Sequence, residues 1–283
     1  MKDIGLIPNW HKRNSPLVVE KIIHFFEQRQ IKLLKANSEQ ADFYSELSLA
    51  EQLKSWQDKL NLIIVVGGDG TILRVARDLA FWNIPVLGIN LGHKGFLAEI
   101  EVEQMERFLQ YIATGQYSYQ ERMMLEAKLK RGDKELGNYL ALNDIVVSRG
   151  PFSRIIQVEV YVNDDFMESY SGDGVIVATP TGSTGYSLSA GGPIVNPSME
   201  LFVVNPICPH SLYNRAVIVN GNDSMKLRVD SRQVQVMLTA DGQVRFALED
   251  EDHIEICRSA QKVKLVCFHD YSFYRMLHQK LKS

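Results

Sequence analysis

Hydrophobic and polar positions follow different patterns in the two halves of the chain. Within the first hundred residues, the continuous apolar runs 4–8, 62–66 and 84–89 alternate with segments of helical spacing, 15–30 and 71–80. Continuous apolar runs followed by helices are typical of strands buried on both faces of a parallel sheet. The pattern therefore predicts an α/β N-terminal domain, Rossmann-like, built on a parallel sheet.

From about residue 117 the apolar positions form short alternating runs instead. These runs are 125–130, 155–162, 226–229 and 234–238. The turn-forming sequences Arg131-Gly132-Asp133, Asn163-Asp164 and Asp241-Gly242 lie between them. Alternation interrupted by turn residues predicts antiparallel strands, so the second half is expected to be an all-β, sandwich-like C-terminal domain.

A helix predicted over 102–114 and ended by Gly115 marks the boundary between the two patterns. We therefore predict an α/β domain at 1–115, a β domain at 116–265 and a C-terminal tail at 266–283. The tail has a short helical pattern, and the sequence leaves open whether it returns to the first domain. A length of 283 residues suits two domains.

Composition narrows the class of protein. The chain is 45% hydrophobic and 23% charged, which is typical of folded proteins, and its net charge of -3 gives no sign of a nucleic-acid or membrane partner. Its three cysteines are far apart and form no Cys-x-x-Cys pair, which favours a reducing compartment over a disulfide framework. No apolar run approaches 18 residues, so we expect a cytoplasmic protein.

The sequence Gly67-Gly68-Asp69-Gly70-Thr71 lies directly between a predicted strand and a predicted helix. Glycine lets backbone N–H groups approach a phosphate, and the start of a helix favours an anion, so Gly67, Gly68 and Thr71 are candidate phosphate-binding residues. A strand-to-helix turn uses glycines even without a ligand. Asp69 argues for chemistry, because a carboxylate beside a phosphate is unfavourable unless it binds a metal ion or accepts a hydroxyl proton.

Two common nucleotide-binding motifs do not fit this turn. The dinucleotide fingerprint requires glycine where Leu73 stands, and no segment carries the Gly-Lys-Ser/Thr end of a P-loop. The seven histidines show no ligand spacing, so a permanent zinc site is not expected.

Two further segments carry candidate chemistry. The stretch 172–193 is dense in glycine and hydroxyl residues, which suits binding to ribose and phosphate, and its Tyr186 could stack on a base. A solvated loop explains that composition equally well. Asn143-Asp144 places an amide beside a carboxylate in a β context, although Asn-Asp is more often a turn.

Together, the segments 67–71, 143–144 and 172–193 resemble the ATP-NAD kinase family over nearly the whole chain. The segments 90–97 and 209–212 resemble the same family. The Gly-Gly-Asp-Gly turn is the less specific part, because lipid kinases of the diacylglycerol kinase type and phosphofructokinases carry similar turns. The stretch that begins Thr179-Pro180-Thr181-Gly182-Ser183-Thr184 is the specific part.

The resemblance implies an ATP-dependent NAD kinase. Such an enzyme transfers the γ-phosphoryl group of ATP to the 2′-hydroxyl of the adenosine ribose of NAD, giving NADP and ADP. NAD and ATP would be the substrates, with polyphosphate an alternative donor in some members. Mg²⁺ would arrive with ATP rather than occupy a permanent protein site, and the chain would form a homo-oligomer, either a dimer or a tetramer.

The resemblance also implies roles for individual residues. Asp69 would be the catalytic proton acceptor, with a role as Mg²⁺ ligand left open. The implied NAD-binding residues are Asp69, Gly70, Arg74, Asn143, Asp144, Arg154, Asp173, Thr184, Gly185, Tyr186, Ser187, Leu188, Ser189 and Gln243. The chain departs from the family where Asp144 replaces a glutamate, Gly185 an alanine, and Ser171 an arginine found in some members.

Overall fold

The computed structural model describes residues 3–37, 49–92, 95–97, 100–151, 154–211, 215–230, 235–249, 251–268 and 272–281. The chain divides into two compact units, which we call unit 1 (1–121 with 263–283) and unit 2 (122–262). The predicted domain limits, 1–115, 116–265 and 266–283, stay predictions, because compactness alone does not show which segments fold together.

Helices alternate with strands in the first half of the chain, whereas strands dominate the second half. The first half contains β1 (Asp3–Pro8), α1 (Ser15–Glu27), β2 (Leu33–Lys35), α2 (Leu49–Gln52), β3 (Leu60–Gly67), α3 (Asp69–Asp78), β4 (Val86–Asn90), β5 (Ile100–Glu101) and α4 (Met105–Ala113). Then follow β6 (Ser118–Arg131), β7 (Lys134–Ala141), β8 (Asp144–Arg149), β9 (Ile156–Val162), β10 (Asp165–Gly172), β11 (Gly174–Ala178), α5 (Tyr186–Ser189) and β12 (Leu201–Ile207). The last elements are β13 (Val217–Asn220), β14 (Met225–Asp230), β15 (Val236–Ala240), β16 (Val244–Leu248), β17 (Asp252–Cys267) and α6 (Phe273–Leu281).

Unit 1 is built on a parallel sheet in the order β2-β1-β3-β4. Strand β5 and the end of β17 also pair with β4 in parallel. Strand β3 is buried along almost its whole length, as its continuous apolar run predicts. Its core side chains pack with the buried face of α1, where Val18, Ile22 and Phe26 recur at helical spacing.

Unit 2 contains antiparallel strands in two sheets. One sheet has six strands in the order β13-β12-β11-β8-β15-β16. In the other, β10, β9, β14 and β17 pair in that order, and β6 pairs with β17 and β7. Both sheets contribute side chains to one apolar cluster, with Val147 and Val177 from the first and Val158 and Leu227 from the second. This is the packing of a β-sandwich, and the predicted fold class is confirmed.

The predicted turns adopt the backbone that their sequences favour. Asn163 and Asp164 have φ values of 49° and 68° and separate the paired residues Val162 and Asp165. Two consecutive positive φ values define the two-residue hairpin turn that matches strand twist. Asp241 and Gly242 also have positive φ, between β15 and β16, and this second turn lies in the candidate site.

The tail falls in unit 1, which contains residues 263–283. Val266 and Phe268 belong to the apolar cluster of that unit. Among the described residues, no helix is long and apolar enough to cross a bilayer.

Candidate active site

The Gly-Gly-Asp-Gly turn lies where strand β3 passes into helix α3. Strand β3 ends at Gly67, Gly68 is extended, and the helix begins at Asp69. The hydroxyl of Thr71 accepts a hydrogen bond of 2.9 Å from Nδ2 of Asn9, just after β1. The turn is therefore anchored to the neighbouring parallel strand, and the backbone N–H groups at the start of the helix are positioned for an anion.

The glycines of this turn differ in whether the surrounding atoms leave space for a side chain. A Cβ at Gly67 would lie 2.7 Å from the Cβ of Thr71, so packing inside the chain requires glycine there. At Gly68 and Gly70, a Cβ would meet no described atom within 4 Å. Packing against the described residues does not require glycine at these two positions, and the open space leaves room for close approach by a ligand.

The carboxylate of Asp69 is held by the chain segment after β4. Its Oδ2 accepts hydrogen bonds from the backbone N–H of Phe96, at 2.5 Å, and of Leu97, at 3.3 Å. A Cβ at Gly95 would overlap the carboxyl group. The segment 95–97 therefore approaches Asp69 only because residue 95 is glycine, and it fixes the orientation of the carboxylate.

Arg74, the predicted basic contact, lies one turn into α3. Its Nε is 3.4 Å from Oδ2 of Asp78, which also accepts a hydrogen bond from the backbone N–H of Leu49. The guanidinium of Arg77 pairs with the other oxygen of Asp78 at 3.0 Å. Arg74 thus takes part in a polar cluster on the helix, and its role toward a dinucleotide stays a prediction.

In unit 2, several predicted residues lie at one end of the six-stranded sheet. Strand β8 begins with Asp144, which pairs with Ala178 at the end of β11, while Ile145 pairs with Ala240 at the end of β15. The Asn143-Asp144 pair, the loop after residue 178 and the turn that holds Gln243 therefore share this end. The backbone O of Asn143 accepts a hydrogen bond of 2.8 Å from the N–H of Thr179, joining two of the three segments.

The side chain of Asp241 links the turn that holds Gln243 to the Asn143-Asp144 segment. The sequence did not indicate this role. Its Oδ1 accepts hydrogen bonds from the backbone N–H of Asn143 at 2.7 Å and of Asp144 at 3.2 Å. Its Oδ2 accepts one from Leu142 at 3.1 Å. The sequence signals only a turn at Asp241-Gly242, because the partners lie almost a hundred residues away.

Asp144 lies in an apolar, acidic environment. It is only 5% exposed. Burial, followed by the nearby charge of Asp241, raises the pKa of Asp144 to about 7. Asp144 therefore changes its charge near neutral pH, and its hydrogen-bonding capacity changes with it.

Most hydroxyl groups of the loop that begins at residue 179 shape the loop itself. Thr179 Oγ1 donates to the backbone O of Leu142 at 2.6 Å, and Ser183 Oγ accepts from the N–H of Val195 at 3.0 Å. Thr184 Oγ1 donates to the O of Thr181 at 3.1 Å. Among the described residues, the buried hydroxyls without a hydrogen-bond partner include those of Thr181 and Ser187 in this loop. The many hydroxyl residues of this loop therefore stabilise its own conformation as well as offering groups that could bind a ligand.

Helix α5 presents the predicted dinucleotide-binding residues 186–189. Ser187 is buried, Leu188 is half-buried, and Tyr186 and Ser189 are exposed. Asn205, which the sequence did not single out, donates from Nδ2 to the backbone O of Ser187 at 3.0 Å and fixes the helix.

The phenol of Tyr186 responds to the charges of two groups of predicted site residues. Burial first, then the nearby Cys208, Asp173 and Asp144, raise the pKa of its phenol. Asp173 precedes β11, at the opposite end of that strand from Ala178. Asp144 and Asp173, whose charges both raise the pKa of this phenol, thus lie at opposite ends of β11.

Asp173 and Arg154 lie near each other in the pairing register. Gly172 pairs with Ile156, which places both predicted residues at the same end of the β9–β10 hairpin. Oδ1 of Asp173 accepts a hydrogen bond of 2.5 Å from Nε of Arg149, a partner not predicted from the sequence. Arg154 is exposed.

Gly185 lies before α5 with a φ of -98°. A Cβ there would be 3.3 Å from the O of Gly182 and 3.6 Å from Nδ2 of Asn143, so the alanine common in the family that the sequence resembles would need only a small adjustment. Gln243 is exposed in the β15–β16 turn. His93, Lys94 and Leu212, from the two additional segments of the resemblance, lie outside the described residues.

Comparison with known proteins establishes the family. A model of the ATP-NAD kinase N-terminal domain matches residues 11–117, and a model of the ATP-NAD kinase C-terminal domain matches 142–268. The chain belongs to the ATP-NAD kinase family. The family predicted from the motifs is therefore confirmed.

The relatives that match the chain over nearly its full length are also NAD kinases. An NAD kinase from Natranaerobius thermophilus is 42% identical over 281 residues, covering 99% of this chain and 98% of that protein. An NAD kinase from Moorella thermoacetica is 40% identical over 284 residues, covering 100% of this chain and 90% of that protein.

Solved structures show the same fold. An NAD kinase from Archaeoglobus fulgidus in complex with ATP has a TM-score of 0.75 at 26% identity, covering 99% of this chain and 98% of that one. The yeast NADH kinase complexed with NADH has a TM-score of 0.86 at 23% identity, covering 100% of this chain and 88% of that one.

Proposed function

We propose that this chain is an NAD kinase, which transfers the γ-phosphoryl group of ATP to the 2′-hydroxyl of the adenosine ribose of NAD and releases NADP and ADP. The observation that carries the proposal is the carboxylate of Asp69, fixed by the N–H groups of Phe96 and Leu97 within a glycine turn that has room for phosphate. The predicted activity is confirmed at the level of the family by full-length NAD kinase relatives.

Phosphoryl transfer depends mainly on positioning and on neutralising phosphate charge. In unit 1, the backbone N–H groups of the turn around Gly67 and Gly68 bind donor phosphate oxygens, whereas the N–H of Thr71 donates to the O of Gly68 at 2.9 Å and closes the turn. Asp69 accepts the proton of the 2′-hydroxyl while that oxygen forms a bond to the γ-phosphorus. The bond between this phosphorus and the bridging oxygen breaks, and ADP leaves with the bonding electrons.

Residues of unit 2 bind the dinucleotide in this proposal. Asn143 and Asp144 interact with ribose hydroxyls, as supported by their position at the end of the sheet. The predicted contacts Gly185 and Tyr186 belong to the loop and helix beside them, and Tyr186, a residue that is 47% exposed, offers an aromatic ring for stacking. Asp173 and Arg154 supply charged groups at the opposite end of β11.

A divalent cation enters with ATP as part of the substrate. Mg²⁺ typically binds through phosphate oxygens and one or two carboxylates, and a hard carboxylate such as Asp69 fits this chemistry. When bound, the cation neutralises charge on the donor phosphates. A comparison of variants decides whether Asp69 contacts the cation or accepts the proton.

The test is formation of NADP from NAD, ATP and Mg²⁺ by the purified protein. Asp69→Asn keeps the shape and an oxygen acceptor for the N–H groups but removes the base, so turnover falls by about 10²- to 10⁴-fold while NAD binding persists. If Asp69 serves only the cation, raising Mg²⁺ restores turnover in the variant. Asp164→Asn is the matched control, because that side chain is 91% exposed in a hairpin turn.

Rival functions are measured in the same assay. Lipid acceptors run in parallel test a lipid kinase that shares the Gly-Gly-Asp-Gly turn. Product from lipid alone would replace the proposal, and NAD binding without product would indicate a dinucleotide-binding regulator. Unchanged turnover in folded Asp69→Asn would remove the assigned role of the carboxylate.

We further propose a cytoplasmic homo-oligomer, either a dimer or a tetramer. Cys208, Cys257 and Cys267 form no disulfide, which suits a reducing compartment. Light scattering coupled to size-exclusion chromatography tests the assembly, since the chain mass is 32.2 kDa. A mass equal to that of one chain at all concentrations would contradict the oligomer.

A further inference from the structure

Asp241 occupies an unusual place for a turn residue. The residue is only 8% exposed, and its carboxylate accepts hydrogen bonds from the backbone N–H groups of Leu142, Asn143 and Asp144. In return, the N–H of Asp241 donates to the O of Asp144 at 2.9 Å. Four hydrogen bonds thus join the β15–β16 turn to the start of β8.

These bonds fix the segment that carries two site residues. The pairing of β8 with β15 ends at Ile145, so the ladder between these two strands does not extend to residues 142–144, although Asp144 still pairs with Ala178 of β11. A neutral turn residue satisfies fewer of these donors, whereas a carboxylate has several acceptor positions. Burying a charge costs free energy unless hydrogen-bond donors surround it. Formation of the turn by itself therefore gives no reason for a buried carboxylate at position 241.

We propose that Asp241 is a positioning residue for the dinucleotide: by holding three consecutive N–H groups, it sets the direction of the Asn143 and Asp144 side chains. This inference rests on the proposed function, because it concerns the binding of NAD. Asp241 acts through Asn143 and Asp144 and makes no contact with substrate in this proposal.

The charge of Asp241 has a second consequence. It contributes, after burial, to the raised pKa of Asp144. Among the described residues, Asp241 from the β15–β16 turn raises the pKa of Asp144, and Asp144 in turn contributes to the raised pKa of Tyr186 from α5. Removing the charge at 241 lowers the pKa of Asp144, so Asp144 becomes ionised at a lower pH and accepts ribose hydroxyl hydrogen bonds there.

The experiment measures NAD binding calorimetrically from about pH 5 to about pH 8 with wild type, Asp241→Asn and Asp164→Asn. Asp164→Asn is matched because Asp164 also has a positive φ in a hairpin turn. In Asp241→Asn, the Kd for NAD rises about tenfold at the upper end of this range. The pH below which NAD affinity declines, because Asp144 becomes protonated, shifts to a lower value. The KM for ATP stays within about twofold of wild type. General destabilisation of the protein would not weaken NAD binding while leaving the KM for ATP unchanged. Asp164→Asn behaves as wild type.

A second variant keeps the test decisive if Asp241→Asn does not fold. Asp241→Glu retains the charge but displaces the carboxylate oxygens, so NAD binds more weakly. The pH below which NAD affinity declines stays that of wild type, because the charge beside Asp144 is kept. Wild-type affinity in folded Asp241→Asn, or in Asp241→Glu where the amide variant does not fold, overturns the proposal.

The outcomes also separate this inference from the proposed function. If wild type binds NAD but forms no NADP, the proposed reaction fails and the binding data still decide the role of Asp241. If wild type binds no NAD, both are wrong. If wild type forms NADP and the variants bind NAD as wild type does, only the role of Asp241 is removed.

Discussion

Gly95 shows how one missing side chain positions a catalytic group. A Cβ at this position would overlap the carboxyl group of Asp69, whereas a Cβ at Gly92, in the same connection between β4 and β5, would make an ordinary contact of 3.7 Å with Asn90. Gly95→Ala therefore displaces the carboxylate or the segment that binds it. We expect kcat to fall at least about tenfold, since small misplacements of reacting groups cost large factors in rate.

Steady-state kinetics on Gly95→Ala and the matched control Gly92→Ala check this expectation. Gly92→Ala should retain the kcat of wild type. A thermal unfolding scan of both variants shows whether the fold persists. Equal kcat in the two alanine variants would show that the close approach to Asp69 has no catalytic importance.

Asp144 makes stability depend on pH. Its pKa in the folded protein is about 7, above the value of about 3.9 expected in the unfolded chain. Between these values the folded state binds more protons, so the free energy of unfolding falls as pH rises from about 4 to about 7. Asp144→Asn removes this loss and should be more stable than wild type at pH 8, by an amount on the order of a few kcal/mol, with little difference at pH 4.

Urea unfolding of wild type and Asp144→Asn at the two pH values measures the difference. Asp164→Asn, at an exposed carboxylate, retains Asp144 and is expected to have the stability of wild type at both pH values. A constant difference between wild type and Asp144→Asn at both pH values would contradict the raised pKa.

At the scale of elements, the C-terminal helix α6 contacts the segment that holds Asp69. Nζ of Lys280 lies over the ring of Phe96, 4.3 Å from its centroid, and the N–H of Phe96 donates to Asp69. Cation–π contacts contribute about 0.5 to 2 kcal/mol. Lys280→Met removes the charge while keeping a long apolar side chain, so we expect lower turnover with NAD affinity retained.

The matched variant is Gln279→Met, on the same helix at an exposed position. Turnover and NAD affinity of both variants, measured side by side, test whether α6 stabilises the arrangement around Asp69. A loss of turnover in Gln279→Met as large as that in Lys280→Met would assign the effect to the helix surface in general.

Elements defined by local pattern were predictable from the sequence. The buried run that became β3 and the glycine turn that starts α3 both lie in one short stretch of chain. Strand β6 was predicted only over 125–130, but it begins at Ser118, because its first residues are polar and gain their strand structure from pairing.

The supporting residues of the site were not predictable in the same way. The partners of Asp241 are 97 to 99 residues away in sequence, and Gly95 approaches Asp69 only after strands β3 and β4 pair. The sequence indicated which residues resemble a binding site, whereas the groups that orient them depend on tertiary contacts.

At the scale of the whole molecule, the two units have separate apolar cores. Phe268 packs in the core of unit 1, with its ring centroid 4.5 Å from that of Phe108, and Phe202 is fully buried in the core of unit 2. Truncating a buried phenylalanine to alanine costs about 3 to 5 kcal/mol. If the units open separately, each truncation acts on its own unit.

Hydrogen exchange read by mass spectrometry distinguishes the two outcomes. Phe268→Ala should speed exchange in β1, β3 and β4 and leave β8, β11 and β15 near wild type, and Phe202→Ala should do the reverse. Strand β17 runs from unit 2 into unit 1, so its two ends should respond to different variants. This result would also place residues 266–268 with the α/β domain instead of in a separate tail. Faster exchange throughout the chain in both variants would mean that the two cores unfold as one cooperative unit, because each truncation would then lower the stability of the whole protein.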